Sequence, residues 1–197
     1  FLSHLFELRD RLVRSLVAVL VAFLPTFFFA SELYDLVAMP MIRTLPEGSK
    51  MIATGVITPF FIPMKISLVV AFLLALPYVL YQAWAFVAPG LYAHEKRLVL
   101  PLVVSSTLLF FIGMAFCYFF VFGQVFAFIQ SFAPKSITAA PDIEAYLGFV
   151  LGMFIAFGVT FEVPVVVVVL VMTGMVSVEK LREIRSFVIV GAFVVAA

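Results

Sequence analysis

The chain has 197 residues, of which 65% are hydrophobic and 12% are charged, and its formal net charge is +1. Soluble globular domains carry about 25% charged residues, so this composition excludes a soluble domain and predicts an integral membrane protein. The net charge alone says nothing about nucleic acid, but no run of basic residues and no nucleic-acid-binding pattern is present, so we expect a lipid bilayer and no nucleic acid as the surroundings.

The N-terminal segment reads FLSHLFELRDRLVRSL and predicts an amphipathic helix. Leucines recur at helical spacing along one face: Leu5, Leu8, Leu12 and Leu16. Glu7 and Arg11 are four residues apart in the orientation that stabilises a helix, and so are Asp10 and Arg14; each such pair contributes about 0.2–0.5 kcal/mol. On spacing alone, a solvated surface helix accounts for these charges.

Four apolar segments are long enough to cross about 30 Å of hydrocarbon as helices. They are Leu12–Ala30, Pro63–Phe86, Leu98–Phe122 and Tyr146–Thr173. A fifth segment, 187–197, covers only about half a bilayer, and we expect it to continue beyond Ala197. The pattern predicts an all-α, polytopic membrane protein with one transmembrane domain over 1–197.

Two longer connections lie on the predicted outer side. In 31–62, the stretch SELYDLVAMP predicts a short helix on the membrane face that ends at Pro40. Leu45–Ser49 then reads as a turn because it contains proline and glycine. The second connection, 123–145, is predicted to be an external loop.

The positions of lysine and arginine predict the orientation of the chain. Eight of the twelve such residues fall on one side of the predicted spans: Arg9, Arg11, Arg14, Lys96, Arg97, Lys180, Arg182 and Arg185. Only Arg43, Lys50, Lys65 and Lys135 fall on the other side. Because cytoplasmic loops are richer in these residues, the N-terminus is predicted to be cytoplasmic.

The first cytoplasmic loop contains a glutamate, Glu95, at the start of the third span. Pro89 and Gly90 break the preceding span, and Lys96 follows the glutamate. A glutamate in a first helical turn is stabilised by the helix dipole, which alone could account for it. A carboxylate that receives a guanidinium at the membrane surface is the functional alternative, and this signal alone is weak.

Glu162 is a carboxylate within an otherwise apolar span. A charge at the bilayer centre costs at least about 2.5–3.5 kcal/mol. Gly148 and Gly158 share the helix face of Glu162, and Pro164 follows it closely. A ladder of small residues, of the kind that permits close helix contact, runs along the same helix: Gly148, Gly152 and Ala156. We expect this face to meet protein or water, and the residues leave open a structural hydrogen bond or a docking or proton-handling carboxylate.

The sequence offers no candidate for catalysis or for metal binding. Cys117 is the single cysteine, so an internal disulfide and a cysteine metal cluster are excluded. The histidines, His4 and His94, are too few for a zinc site, and no hydrolase or nucleotide-binding motif is present. We expect a protein that is not an enzyme and has no cofactor.

Several long motifs of the chain closely resemble the TatC family, the multispanning core of the twin-arginine protein translocase. They are FELRDRL (Phe6–Leu12), MIATGVITPFFIPMK (Met51–Lys65), YQAWAFVAPGLYAHEKR (Tyr81–Arg97), FGVTFEVP (Phe157–Pro164) and RSFVIVGAFVVAA (Arg185–Ala197). The resemblance covers essentially the whole chain in order.

The resemblance implies a cup-shaped helical bundle in the inner membrane, with six spans in the family and about five in this chain. Both termini would be cytoplasmic. The implied function is a receptor for twin-arginine signal peptides of folded cargo, which works with single-span TatA- and TatB-type subunits, is homo-oligomeric within the translocase and uses the proton gradient.

Site residues are also implied by the resemblance. Glu7 and Glu95 would contact the arginine pair, and five further residues would belong to the same recognition surface: Arg9, Phe86, Pro89, Leu91 and Lys96. Glu162 would line the concave face and meet the polar end of a single-span partner. Pro40 matches a functionally sensitive proline of the external loop.

Two other classes of protein compete with this interpretation. In a secondary transporter, Glu162 would carry protons or a cationic solute, but more intramembrane polar residues and a repeat symmetry would be expected. An assembly scaffold would not need the cytoplasmic glutamates. Binding of a twin-arginine peptide, compared with a twin-lysine peptide, separates the three.

Overall fold

The computed structural model describes residues 2–43, 45, 50–87, 96–132, 140–174, 176–177, 179–183 and 185. The principal α-helices in these ranges are α1 (Leu2–Phe27), α2 (Ala30–Ile42), α3 (Thr58–Val87), α4 (Lys96–Phe116), α5 (Phe122–Phe132) and α6 (Ile143–Met172). A π-helical turn, Cys117–Val121, joins α4 to α5. The described ranges contain no β-strand, and the prediction of an all-α fold is confirmed.

Three stretches of the described chain are long and apolar enough to cross a membrane. They are Thr58–Val87, Val99–Phe132 and Ile143–Met172. α1 and α2 supply a fourth crossing if the two helices, which meet at 91°, are counted as one broken span. The predicted segment 187–197 lies outside the described residues.

The second of these stretches extends beyond its predicted end. The apolar pattern predicts this span at Leu98–Phe122 and an external loop at 123–145, but the helix continues to Phe132. Phe122 and Phe126, one turn apart, are both buried, and this burial supports a further helical segment. The first part of the predicted loop is therefore helical.

A sharp turn separates α1 from α2. The backbone N–H of Phe28 donates to the carbonyl of Pro25 at 3.3 Å, and that of Phe29 donates to Thr26 at 3.1 Å. The hydroxyl of Thr26 also donates to the carbonyl of Ser67 on α3, at 3.1 Å. This bond fixes the end of α1 against α3, and α2 then departs from α1 at close to a right angle.

α2 does not end at Pro40, as the sequence predicted, but at Ile42. Proline lacks the N–H that would bond to the carbonyl four residues earlier, here that of Leu36. The hydroxyl of Tyr118 donates to this carbonyl at 2.8 Å, so the helix continues past the proline without leaving that acceptor unpaired.

An aromatic core lies beneath α2. Phe122 is fully buried, and its ring centroid lies 5.5 Å from that of Phe126 and 5.3 Å from that of Phe154. The hydroxyl of Tyr146 donates to the carbonyl of Val37 at 2.9 Å. Aromatic packing and hydrogen bonds therefore join α2 to α6 at this end of the bundle, which we call the α2 end.

At the α2 end, the segment before α3 is bonded to the start of α6. Asp142 caps α6 by accepting hydrogen bonds from the N–H groups of Glu144 and Ala145, at 2.9 and 3.0 Å. Its other oxygen accepts from the N–H and the hydroxyl of Thr54, at 3.1 and 2.7 Å. Lys65 pairs with Glu144 at 2.8 Å. We call these residues the Asp142 clasp.

An open apolar groove of about 650 Å³ runs along one side of the bundle. α1, α3, α4 and α6 contribute to its walls, among others with Leu16, Phe72, Phe110 and Phe154. Glu162 is not among the described residues that line this groove.

Candidate functional site

Glu7 lies at the opposite end of the bundle from the Asp142 clasp, and a guanidinium already contacts it. The Nε and Nη2 atoms of Arg11 donate to the Oε1 atom of Glu7, at 3.0 and 2.6 Å. The Nη1 atom of Arg11 donates to the side-chain oxygen of Gln82 on α3, at 3.2 Å. The side chain of Glu7 is 41% exposed and that of Arg11 23%, so the carboxylate remains within reach of water.

Two other predicted members of the recognition surface are described. Arg9 is exposed, pairs with Asp10 at 3.0 Å and has its guanidinium 5.5 Å from the ring centroid of Phe6. Phe86 is half-buried and lies one helical turn after Gln82 on α3. Glu7 and Phe86 therefore belong to the same end of the α1–α3 pair.

The remaining predicted residues cannot be placed relative to Glu7. Pro89, Leu91 and Glu95 lie outside the described residues. Lys96 is the first residue of α4, and its backbone alone is described. The predicted pairing of Glu7 with Glu95 in one site therefore remains a prediction.

Glu162 is buried in α6 and is only 9% exposed. Neither of its carboxylate oxygens has a hydrogen-bond partner among the described residues. The hydroxyl of Ser106 on α4 interacts with the carboxylate, but the arrangement falls short of a hydrogen bond. Buried polar groups are almost always paired, so the described residues leave the hydrogen-bonding capacity of this carboxylate unused.

A buried hydrogen bond holds Ser106 next to Glu162. The indole N–H of Trp84 on α3 donates to the Oγ atom of Ser106 at 2.9 Å. Trp84 is 7% exposed and Ser106 is fully buried, and Trp84 packs in one cluster with Val169 of α6. Helices α3, α4 and α6 therefore meet around this polar group.

Two glycines allow α4 and α6 to approach closely beside Glu162. A Cβ atom on Gly158 would lie 2.6 Å from the ring of Phe110. One on Gly113 would lie 2.7 Å from the carbonyl oxygen of Phe157. The contact at Gly158 agrees with the expectation that the face of Glu162 meets protein or water.

The glycines of the small-residue ladder make no close helix contact with the described residues. Apart from the adjoining residues and backbone of α6 itself, no described atom lies within 4 Å of a Cβ atom placed on Gly148 or on Gly152. Both residues are exposed. Small residues permit close contact, but they do not determine where around the helix a neighbour packs.

Gln82, Trp84 and Ser106 are site residues that the sequence pattern did not single out. The sequence feature that could have identified them is a polar side-chain group within a predicted span or near its end. Pairing Gln82 with Arg11 or Trp84 with Ser106 requires the relative rotation of two helices, which the sequence does not reveal. Among the described residues, no group of histidine, cysteine, aspartate and glutamate side chains could hold a metal ion.

Comparison with known proteins identifies the family. The model of the family described as "Sec-independent protein translocase protein (TatC)" matches residues 3–197. The chain belongs to the TatC family. It is therefore a component of a Sec-independent protein translocase, a membrane transport protein and not an enzyme.

Individual TatC proteins are similar over nearly the whole chain. The Sec-independent protein translocase protein TatC of Escherichia coli strain K12 is 53% identical over 98% of this chain and 75% of its own length. The TatC protein of Aquifex aeolicus strain VF5 is 39% identical over 99% of this chain and 82% of its own.

A solved TatC structure has the same fold. A crystal structure described as the twin-arginine translocase receptor TatC is 40% identical, with a TM-score of 0.82, over 97% of this chain and 84% of that chain. Membership of the TatC family argues against the secondary transporter considered above. The family and the several apolar helices together make the chain a multi-pass membrane protein.

Proposed function

We propose that this chain is the signal-peptide receptor of a twin-arginine translocase. The paired arginines of a signal peptide bind at the end of the bundle that carries Glu7, and Glu95 supplies the second carboxylate. Arg9, Phe86, Pro89, Leu91 and Lys96 form the rest of the recognition surface. Membership of the TatC family and similarity to the crystal structure of a twin-arginine translocase receptor support this role.

The contact between Arg11 and Glu7 is the observation that carries the proposal. In this contact, a guanidinium sits on a half-exposed carboxylate at this end of the bundle. Two of the N–H groups of Arg11 reach one oxygen there, a geometry that the point charge of lysine cannot reproduce. A receptor with two such carboxylates would select paired arginines over paired lysines.

Partner docking is the second part of the proposal. Single-span TatA- and TatB-type subunits place a polar group against Glu162, whose oxygens have no partner among the described residues. A hydrogen bond formed there is favourable because it satisfies a buried polar group. The translocase contains several copies of this chain and draws on the proton gradient. It lies in the inner membrane, and the N-terminus of the chain is cytoplasmic.

The receptor role is tested by the affinity of purified protein in detergent for synthetic signal peptides. A twin-arginine peptide is compared with a twin-lysine peptide. Hydrogen bonds to charged groups contribute about 1.5–3 kcal/mol, so Glu95→Gln should weaken the twin-arginine peptide about tenfold or more and barely affect the twin-lysine peptide. Glu7→Gln should act in the same direction, and the double change should be less than additive if both carboxylates hold one arginine.

Two results would contradict the receptor role. One is equal affinity for the two peptides in the unaltered protein, and the other is unchanged affinity in the double variant. If Glu95 only caps α4, Glu95→Gln would lower thermal stability and leave the affinity for the peptide intact. An assembly scaffold would show no preference for arginine at all.

A further inference from the structure

We propose that Arg11 and Gln82 belong to the signal-peptide site, with Arg11 as an internal ligand of Glu7 that an incoming arginine displaces. The inference rests on the proposed receptor function, and it adds to that function a reason why the carboxylate is occupied before the peptide arrives. Its basis is a contact between two helices and not the sequence spacing of Glu7 and Arg11.

The guanidinium of Arg11 is held by three hydrogen bonds on two sides. Nε and Nη2 donate to Glu7, and Nη1 donates to Gln82. A solvated pair four residues apart on one helix would explain only the first two. The third bond crosses from α1 to α3, and the side chain that accepts it belongs to a residue that is only 4% exposed.

Gln82 acts as the anchor of this internal ligand. A long arginine side chain normally loses considerable rotamer entropy when it is held in one geometry. The buried amide oxygen of Gln82 offsets part of that cost and keeps the guanidinium beside Glu7. Arg11 is consequently three-quarters buried, although it belongs to a charged and otherwise exposed stretch of α1.

An internal ligand lowers the affinity of every external cation by the same factor. The peptide arginine must replace Arg11 at Glu7, and Arg11 is always present at high effective concentration. Exchange of one guanidinium for another keeps the type of bond unchanged, so neither the bound state nor the released state leaves Glu7 without a cation. The receptor therefore releases its peptide without exposing an uncompensated carboxylate.

The test measures peptide affinity after Arg11→Met, which removes the guanidinium and retains an unbranched side chain. Exposed and half-exposed ion pairs are weak, so the affinity should rise by only about two- to fivefold. The rise should be the same for twin-arginine and twin-lysine peptides. Arg14→Met, which removes the same charge from the same helix, is the matched control and should have a smaller effect.

A double-mutant cycle separates displacement from general electrostatics. In a Glu7→Gln background, the effect of Arg11→Met should disappear, because there is no longer a carboxylate for which to compete. A persisting effect, or an equal effect of Arg14→Met, would show a long-range charge effect and overturn the internal ligand. Weaker binding in Arg11→Met would also overturn the internal ligand, because it would show that Arg11 holds Glu7 in place for the peptide.

Gln82→Met provides an independent variant that leaves both charges intact. Loss of the anchor should raise the affinity for both peptides, by less than Arg11→Met does. Weaker binding in Gln82→Met would assign Gln82 to a direct peptide contact and overturn its role as anchor. If Glu7→Gln leaves the affinity for the peptide unchanged, both the internal ligand and the role of Glu7 in the receptor site fail. If Glu7→Gln weakens binding and Arg11→Met does not tighten binding, only the internal ligand fails.

Discussion

The indole nitrogen of Trp84 lies 2.9 Å from the Oγ atom of Ser106, and this buried bond joins α3 to α4. Tryptophan can only donate a hydrogen bond, whereas a serine hydroxyl both donates and accepts. Ser106 therefore accepts from Trp84 and has its own hydrogen available to donate toward Glu162. The donors of this cluster therefore point in one direction, from Trp84 on α3 to Ser106 on α4 and from Ser106 toward the carboxylate on α6.

The Trp84–Ser106 bond predicts unequal losses of stability. Ser106→Ala leaves the buried indole N–H unpaired, which costs about 1–3 kcal/mol. Trp84→Phe should cost less, because the serine hydroxyl can turn to the carbonyl of its own helix. Reversible unfolding of the protein in mild detergent measures both changes, and the double variant should be less destabilised than the sum of the two. Additive losses would contradict a direct bond.

At position 162, we expect glutamine to support transport in place of glutamate, and we expect alanine not to do so. Glu162→Gln retains the shape and the hydrogen-bonding capacity of the side chain, and it removes the cost of a buried carboxylate without partners among the described residues. Glu162→Ala removes the polar contact. Transport of a twin-arginine reporter should persist in the first variant and be largely lost in the second.

Signal-peptide binding is the control for the two Glu162 variants. Both should insert into the membrane and bind the twin-arginine peptide as the unaltered protein does, because Glu162 is buried on α6 whereas Glu7 is half-exposed on α1. Loss of peptide binding in Glu162→Ala would show that the residue is structural or part of the receptor site.

Close packing of α4 and α6 predicts a graded response to added methyl groups. Gly113→Ala places its Cβ atom against a backbone oxygen, which cannot move without shifting the helix, and overpacking of this kind costs about 1–3 kcal/mol. The nearest atoms to the Cβ atom of Gly158→Ala are at the tip of the Phe110 ring, a side chain that can shift more easily than backbone, so the loss of stability should be smaller. Gly152→Ala, which meets open space, is the control and should not lower the unfolding temperature.

The capping role of Asp142 predicts how its contribution depends on pH. Hydrogen bonds from Ala145, Thr54 and Glu144 lower the pKa of its carboxyl to about 2, below the value of about 3.9 for an unfolded aspartate. A lowered pKa means that the ionised form stabilises the fold above about pH 4 and that this contribution is lost as the pH falls toward 2.

Asp142→Asn tests this dependence. The amide retains one acceptor oxygen for the N-cap and loses the other, which accepts from Thr54. The unfolding temperature of the variant should lie below that of the unaltered protein at neutral pH, and the two should converge as the pH approaches 2. A difference that is constant across this range would contradict the assigned ionisation.

The orientation of the chain is tested by cysteine labelling from each side of the membrane. Cysteines at Gly90 and Lys180 should react with a membrane-impermeant reagent from the cytoplasm, and those at Gly48 and Lys135 from outside. Cys117 is fully buried, so the native cysteine should contribute little background. Labelling at Gly48 only from the cytoplasm would reverse the orientation.

The sequence predicted the helices well because an apolar segment of this length has few alternatives to a membrane-spanning helix. The burial of Glu162 agrees with the expectation that its face meets protein or water, since a lone carboxylate in a span must avoid lipid. The sequence did not predict that α2 would continue past Pro40, because the compensating donor, Tyr118, is remote in the chain. The packing of Gly113 and the partners of Gln82 and Ser106 depend likewise on how two helices rotate against each other, and no local pattern records that rotation.

The π-helical turn at Cys117–Val121 has a consequence for insertions and deletions. Such a turn is in effect one extra residue in an α-helix, and each residue turns the helix by about 100°. It therefore sets the phase between Phe110, which packs against α6 in the middle of the bundle, and Phe122, which packs beneath α2. Deleting one residue from the turn would rotate Phe122 and Phe126 out of the aromatic core together, and no substitution within the turn could restore their direction.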